Sequence, residues 1–258
     1  MRNRIILFIS FLGLVGIFWL TLPSKEARVI VCDVGQGDAI LATYKNIQML
    51  FDTGADNKKL MNCLEKHVPF WDKTIEVVVL SHGDSDHTGG LNDLLKSYKV
   101  GQIFGNEQKN YSQKIGQNDV INTNMFDFEV VSPDKNQENI NDGNEKSVAG
   151  YLVSKSGWTI FLSGDMDMET EQKLVWRKIV DRPVDILKIS HHGSETATSE
   201  EILEVLKPKE AVISVGKDNK FGHPREQTLK RLEARNIKIR RTDFEGEVVY
   251  KLVEKSEQ

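Results

Sequence analysis

His82, Asp84, Asp86 and His87 fall within one short run, Ser81-His82-Gly83-Asp84-Ser85-Asp86-His87. Alternate positions of an extended loop project to one side, so His82, Asp84 and Asp86 can point the same way. His87 begins the next helix and turns back toward them. Imidazoles and carboxylates this close repel or lose solvation unless a cation sits between them. A mixed nitrogen and oxygen donor set suits one or two divalent ions, Zn²⁺ or Mn²⁺, with Fe also compatible. Three further segments carry the same residue types: Ser163-Gly164-Asp165, Ser190-His191-His192-Gly193-Ser194 and Gly222-His223-Pro224. Five of the six histidines lie in these four segments; only His67 does not.

What must position them is a set of strands. Ile75–Leu80, Trp158–Leu162, Val184–Ile189 and Ala211–Val215 are apolar runs of strand length, each leading into one of the four polar segments. Loops at the C-terminal ends of parallel strands converge on a common crevice. Arg28–Val34, Ala39–Thr43 and Ile47–Phe51 read as further strands, with Gly35-Gln36-Gly37-Asp38 and Asp52-Thr53-Gly54 as turns. Val120–Val131 reads as a hairpin, Ser132–Lys146 as a polar loop, and Val148–Val153 as the partner of Trp158–Leu162. Helical spacing covers Lys58–Lys66, Leu91–Tyr98, Met168–Val180, Glu200–Leu206 capped by Ser199, and His223–Arg235 opened by Pro224. Ile237–Arg241 and Glu247–Val253 close the chain as strands. Two halves of similar plan predict two packed sheets with helices outside.

The motif His82-Gly-Asp84-Ser-Asp86-His87-Thr-Gly-Gly resembles the metal motif of the metallo-β-lactamase superfamily, with Asp84 in place of the usual second His. Five further elements extend the likeness: Asp33-Val-Gly-Gln-Gly-Asp38, Asp52-Thr-Gly54, Ser163-Gly-Asp165, Leu187-Lys188-Ile-Ser-His191-His192-Gly-Ser194 and Ser214-Val-Gly…Phe221-Gly-His223-Pro224. Together they are similar to the ComEC-like competence-protein hydrolase domain, over about Val29 to Val253. The resemblance implies an α/β fold, an αββα sandwich of four layers, with a metal pair at one sheet edge. It implies that His82 and Asp84 serve one metal and Asp86 and His87 the other, with Asp165 bridging. His191 or His192, and His223, complete the site; the resemblance leaves the adjacent pair undivided. The usual superfamily has a further His before the bridging Asp. None occurs here between His87 and His191; Asn144 and Ser147 resemble the Asn…Ser element of the ComEC-like group, placed at the substrate.

The implied chemistry is hydrolysis of a phosphodiester, with cations activating water and holding the attacking and leaving oxygens. Asp86 is expected to orient that water as well as bind metal, and the non-ligand member of the pair, His192 if His191 is the ligand, to donate to the leaving oxygen. Lys188 either neutralises the site, contacts a phosphate, or lets its head reach water past a packed stem. Asp33, Asp38 and Asp52 read as turn and supporting residues behind the ligands.

The formal net charge of −4 excludes a polycation that coats nucleic acid. The balance reverses between Val205 and Arg241, with eleven Lys/Arg against four Asp/Glu. Lys217, Lys220 and Arg225 flank His223 and form a basic rim suited to a polyanion, DNA first. Two competing readings are a metallo-hydrolase of a small ester or amide and a non-catalytic binding module of the same fold. The aspartate-rich motif and the basic rim oppose the first; four intact His/Asp loops oppose the second. Two cysteines, Cys32 and Cys63, are too few for a disulfide framework and read as core residues.

Residues 1–24 stand apart from the domain at 28–254. Ile5–Leu22 is 18 residues without charge, preceded by Arg2 and Arg4. That length just spans a bilayer, and the arginines keep the N-terminus in the cytoplasm. A small-x-small cleavage site is missing, which favours a membrane anchor over a cleaved signal. The expected location is the cell membrane, single-pass, with the domain outside.

Overall fold

The protein is described from a computed structural model, which covers residues 24–106, 112–135 and 144–255. Of the expected anchor, residues 1–24, all but Ser24 lies outside the described residues. Among those described, no helix is long and apolar enough to cross a membrane.

Two seven-stranded mixed sheets face each other. The first is built from β1 (Arg28–Val31), β2 (Ile40–Tyr44), β3 (Ile47–Phe51), β4 (Thr74–Leu80), β5 (Lys99–Gly105), β6 (Gln113–Lys114) and β14 (Val248–Lys251), in the order β14-β1-β2-β3-β4-β5-β6. The second is built from β7 (Val120–Asn122), β8 (Phe126–Ser132), β9 (Ala149–Ser154), β10 (Thr159–Leu162), β11 (Ile186–Lys188), β12 (Glu210–Ile213) and β13 (Lys238–Arg241), in the order β13-β12-β11-β10-β9-β8-β7. In each sheet, antiparallel pairing at one side passes into parallel pairing: β3, β4 and β5 in the first, β10 to β13 in the second.

Alternation along each strand sorts the side chains. Val29, Val31, Met49, Phe51, Val77 and Val79 face inward and meet Phe126, Phe128, Leu152, Ile160, Leu162 and Ile186. The opposite parity, Ile30, Leu50, Val78 and Leu80, packs under α1 (Asn57–His67) and α3 (Leu91–Ser97) through Leu60, Leu64 and Leu94. Tyr151, Phe161, Leu187 and Ile213 pack under α4 (Met168–Trp176), α5 (Glu200–Leu206) and α6 (Glu226–Glu233). Three apolar layers between four structural layers give the αββα sandwich.

Several boundaries differ from expectation for local reasons. β1 stops at Val31, because the Val34 N–H turns back to the Cys32 carbonyl and the Asp33 carboxylate accepts from the Gly35 N–H. The helix expected from His223 opens at Glu226, because Asn219 grips the His223 backbone from both sides: its Oδ1 accepts from N–H and its Nδ2 donates to the carbonyl. β5 had no reading in the sequence. KVGQIFG has no clean alternation and buries Ile103 and Gly105 alone, so its strand state comes from pairing with β4.

The cysteines are corrected. Both are buried core residues as expected, but they are also joined, Cys32 to Cys63, tying the end of β1 to α1. The bond closes a loop of 31 residues, which by chain entropy contributes about 3.5 kcal/mol. Replacing both by Ser should therefore lower the stability of the domain by that order, measured by denaturant unfolding with and without reductant. A parent protein indifferent to reductant would count against the bridge.

Candidate metal centre

The four polar segments converge at one end of the sandwich. The Ser81–His87 segment leaves β4 and runs into α2 (Ser85–Thr88); Ser163–Asp165 leaves β10; Ser190–Ser194 leaves β11. Backbone hydrogen bonds bind the turns of the first sheet to each other: Asp38 N–H to the Asp86 carbonyl at 3.1 Å, Thr53 N–H to the His87 carbonyl at 2.6 Å and Gly54 N–H to the Asp38 carbonyl at 2.7 Å. Gly37 makes that approach possible. Its φ is +122°, and a Cβ there would stand 2.0 Å from the Asp86 carbonyl oxygen. The Ser214 hydroxyl, from the loop after β12, donates to the Gly37 carbonyl at 2.7 Å and carries the connection to the second sheet.

Three imidazoles share one arrangement, with Nδ1 tied outward and Nε2 aimed inward. His87 Nδ1 donates to Asp52 Oδ2 at 2.8 Å. His192 Nδ1 donates to the Ser214 carbonyl at 2.9 Å. The Ser81 hydroxyl gives its proton to Asp52 at 2.7 Å and stands 2.9 Å from His82 Nδ1, whose proton it can accept. Each inward Nε2 is buried and has no hydrogen-bond partner, and neither does Asp165 Oδ1. Asp165 Oδ2 lies 3.2 Å from His87 Nε2 and 3.4 Å from His192 Nε2. Asp86 Oδ2 lies 3.3 Å from His192 Nε2. Fixing one ring nitrogen to an oxygen while the other stays bare is how proteins present imidazole to a metal. Buried unpartnered polar atoms cost about 1–3 kcal/mol each, so their convergence on one point fits a divalent cation. Two overlapping donor groups stand out: His82, His87 and Asp165, and Asp86, His87 and His192.

The electrostatics agree. Burial opposes charge on His87, but Asp165 and Asp52 hold its pKa well above the ordinary value. Burial likewise opposes charge on His192, and Asp165 and Asp38 push it up to about 9. Burial would raise the Asp86 pKa, yet His192 beside it, with His87, brings it to about 2. The carboxylates therefore demand positive charge at this point. His82, further from them, is pulled below its usual value by burial and by His87.

The other expected residues are distributed as follows. Asp84 sits at the mouth, its side chain 63% exposed, with Oδ2 3.5 Å from His82 Nε2. His192, at 2% side-chain exposure, is the member of the adjacent pair inside the cluster; His191, at 30%, stands at the rim with Nε2 3.9 Å from Asp165. The sequence left the pair undivided; the structure sets His192 in the cluster and His191 at its rim. The cause is the backbone: both residues have positive φ, 49° and 54°, a tight turn that sends consecutive side chains in different directions. His223 belongs to none of the donor groups. Its ring lies 5.7 Å from that of His191, and burial with the two neighbouring imidazoles lowers its pKa to about 4.

Ser147, expected at the substrate, supports the Asp165 loop. It is fully buried, and its hydroxyl accepts from the Asp165 N–H at 3.1 Å, holding the loop that carries the shared carboxylate. Asn144 lies in the 3₁₀ turn just before it. Lys188 is also corrected. Its parity on β11 is that of Ile186, so it points between the sheets, where it is 1% exposed and its head does not reach water. Nζ pairs with Asp38 Oδ2, donates to the Gly164 carbonyl at 3.0 Å and lies 3.6 Å from Asp165 Oδ1. An ammonium has three protons; Asp38 and the Gly164 carbonyl take two, and the head is turned toward Asp165 rather than toward water.

Asp38 and Asp52 take the supporting positions expected of them. Ser81 and Ser214 were not read from sequence, since a hydroxyl beside a His motif is too common to signal anything. At the rim, Lys217, Lys220 and Arg225 are exposed and, among the described residues, make no ion pair. The rest of the basic stretch is largely paired, Lys209 with Asp185, Lys230 with Glu226, Arg235 with Glu200, Lys238 with Glu210. Phe221, 45% exposed, stacks on His223 at 5.8 Å and has Lys220 over its ring at 5.2 Å.

The family model of the metallo-β-lactamase superfamily matches residues 32–217, well over half of the chain. The chain belongs to that superfamily. ComE operon protein 3 of Bacillus subtilis (strain 168) is 29% identical over 262 residues, covering 88% of this chain and 33% of that protein. Competence protein ComA of Neisseria gonorrhoeae is 31% identical over 230 residues, covering 89% and 33%. The chain thus spans about a third of the length of the curated relatives it matches. Among solved structures, the metallo-β-lactamase fold protein YhfI from Bacillus subtilis aligns with a TM-score of 0.59 at 12% identity, covering 88% of this chain and all of that one. That likeness shows the fold alone.

Proposed function

We propose that the chain is a divalent-metal-dependent phosphodiesterase acting on DNA outside the cytoplasm, held at the membrane by residues 1–24. The observation that carries the metal is the convergence of the buried, unpartnered Nε2 atoms of His87 and His192 on Asp165, with His82 in one donor group with His87 and Asp165. A cation held by His82, Asp84, Asp86, His87, Asp165 and His192 supplies Lewis acidity and charge neutralisation. This chain's residues do the rest. Asp165 lies against His87, common to both donor groups, and against His192 of the second. Asp86, ionised at every working pH, orients water rather than storing a proton. His191, exposed at the rim, is placed to donate to a leaving oxygen, and His223 lines the approach as a neutral imidazole. Lys188 acts as an internal counter-ion beneath the site.

DNA is supported by the unpaired Lys217, Lys220 and Arg225 beside the mouth, by Phe221 as an exposed ring on which a base can stack, and by relatives named for competence. A disulfide suits an oxidising compartment.

The test is cleavage of single- and double-stranded DNA with Mn²⁺, Zn²⁺ and Mg²⁺ by the purified chain, beside an Asp86→Ala control. Replacing Lys217, Lys220 and Arg225 together by Gln should weaken binding to every DNA sequence alike and flatten the salt dependence of log K by up to about three units, with metal content unchanged. If that variant binds and cleaves as the parent does at all salt concentrations, the rim is only a solvated surface. The small ester or amide substrate then becomes the better reading.

A further inference from the structure

The end of the sandwich opposite the metal cluster has features that catalysis does not use. Phe70 is 68% exposed and Trp71 49%, in the short loop between α1 and β4. The chain enters the fold beside them: Arg28, the first residue of β1, donates from Nη2 to the His67 carbonyl at 3.3 Å. Lys25, Lys45, Lys73, Lys99 and Lys155 all lie on turns or strand starts at this end, all exposed. None makes an ion pair among the described residues. Lys45 and Lys73 ride over the rings of Tyr44 and Tyr98, each at 4.9 Å. Glu26, the neighbouring acid, is taken by Lys251.

We propose that this end is a bilayer-docking face, in which Phe70 and Trp71 enter the interface and the lysines contact anionic headgroups. It rests on the reading of residues 5–22 as a membrane anchor. The tether decides it. Ser24 is already fastened to the domain, its carbonyl accepting from the Lys45 N–H at 3.0 Å, and the Ala27 carbonyl accepts from the Leu252 N–H at 2.8 Å. From Leu22 to Ser24 the chain can reach at most about 7 Å. An anchor ending at Leu22 therefore brings this end to the membrane surface and no other. Exposed aromatic rings flanked by lysines match the chemistry of that surface, where aromatic residues sit at headgroup depth and each lysine near anionic lipid adds attraction. The geometry also orients the enzyme. The metal cluster lies at the far end of β4, a seven-residue strand, so it stands on the order of 25 Å above the lipid, facing away.

The test uses the full chain reconstituted in vesicles of phosphatidylcholine and phosphatidylglycerol. Since Cys32 and Cys63 are bonded to each other, a spin label attaches to one introduced cysteine, Phe70→Cys or, as the opposite-end control, Phe221→Cys. Both positions are exposed, so neither substitution disturbs the core. The label at 70 should collide several-fold more with dissolved oxygen, relative to an aqueous nickel chelate, than the label at 221. If the chain floats with the vesicles but the two labels are equally open to the chelate, the docking face is wrong while the anchor stands. A chain that does not float overturns both. A label at 70 shielded from both reagents would place a second copy of the chain there and overturn the proposal as well.

Discussion

Asp165→Ala should empty the site of metal. Among the described residues, Asp165 is the one carboxylate within 4 Å of His87, His192, His191 and Lys188 at once. Its loss takes away the carboxylate of the first donor group, which also lies 3.4 Å from His192 of the second, while leaving the strands that carry them. Removing a mere support of a ligand costs about 10–100-fold in metal affinity, and removing a shared ligand should cost more than that. Metal analysis after desalting should find the parent loaded and the variant near background. Asp165→Asn separates charge from shape. It keeps the side-chain volume, so its fold should survive, but it cannot balance a cation between His87 and His192. Should Asp165→Asn retain metal at the parent's stoichiometry, the shared carboxylate is not Asp165. Near-ultraviolet circular dichroism of both variants keeps a folding failure distinct from loss of the ligand.

The residues that reached this centre were legible because each is announced by a strand. IEVVVL, WTIFL and VDILKI are apolar runs that end in His or Asp, and the parallel pairing of β3, β4 and β5 and of β10, β11 and β12 puts their ends on one edge. Local sequence carries that much. It does not carry direction at a turn. His191 and His192 are chemically identical neighbours, and only the left-handed backbone separates one buried in the cluster from one at its rim. Nor does it carry partnership across the sandwich. Lys188 and Asp38 stand 150 residues apart, one on a strand of the second sheet and one in a turn of the first, and each alone reads as an ordinary residue of its strand or turn. The same distance effect hid the Cys32–Cys63 bridge, and the support that Ser214 gives to His192 and Gly37.

The Lys188–Asp38 pair makes the second large prediction. Lys188→Met keeps the stem and the packing between the sheets but removes the ammonium. Burial works against charge on Lys188, while Asp38 and Asp165 hold its pKa above the usual lysine value, so the folded domain contains it as a cation. Breaking a buried pair by deleting one partner costs about 3–5 kcal/mol, because the other charge stays behind without compensation. Here two carboxylates stay behind. The metal-free variant should therefore unfold at markedly lower denaturant concentration. Added metal should act in the opposite direction. With the internal cation gone, the site is more negative, so a divalent ion should bind more tightly and return more stability to the variant than to the parent, following RT ln(1 + [L]/Kd). Adding Asp38→Asn to Lys188→Met should recover part of the loss, and the double-mutant cycle should show a coupling of about 1–3 kcal/mol. A phosphate-binding lysine predicts another pattern: unchanged metal-free stability, unchanged metal affinity, and a raised KM for DNA. Measuring metal-free unfolding, metal affinity and KM on the same two variants decides between a counter-ion beneath the site and a residue that touches the substrate.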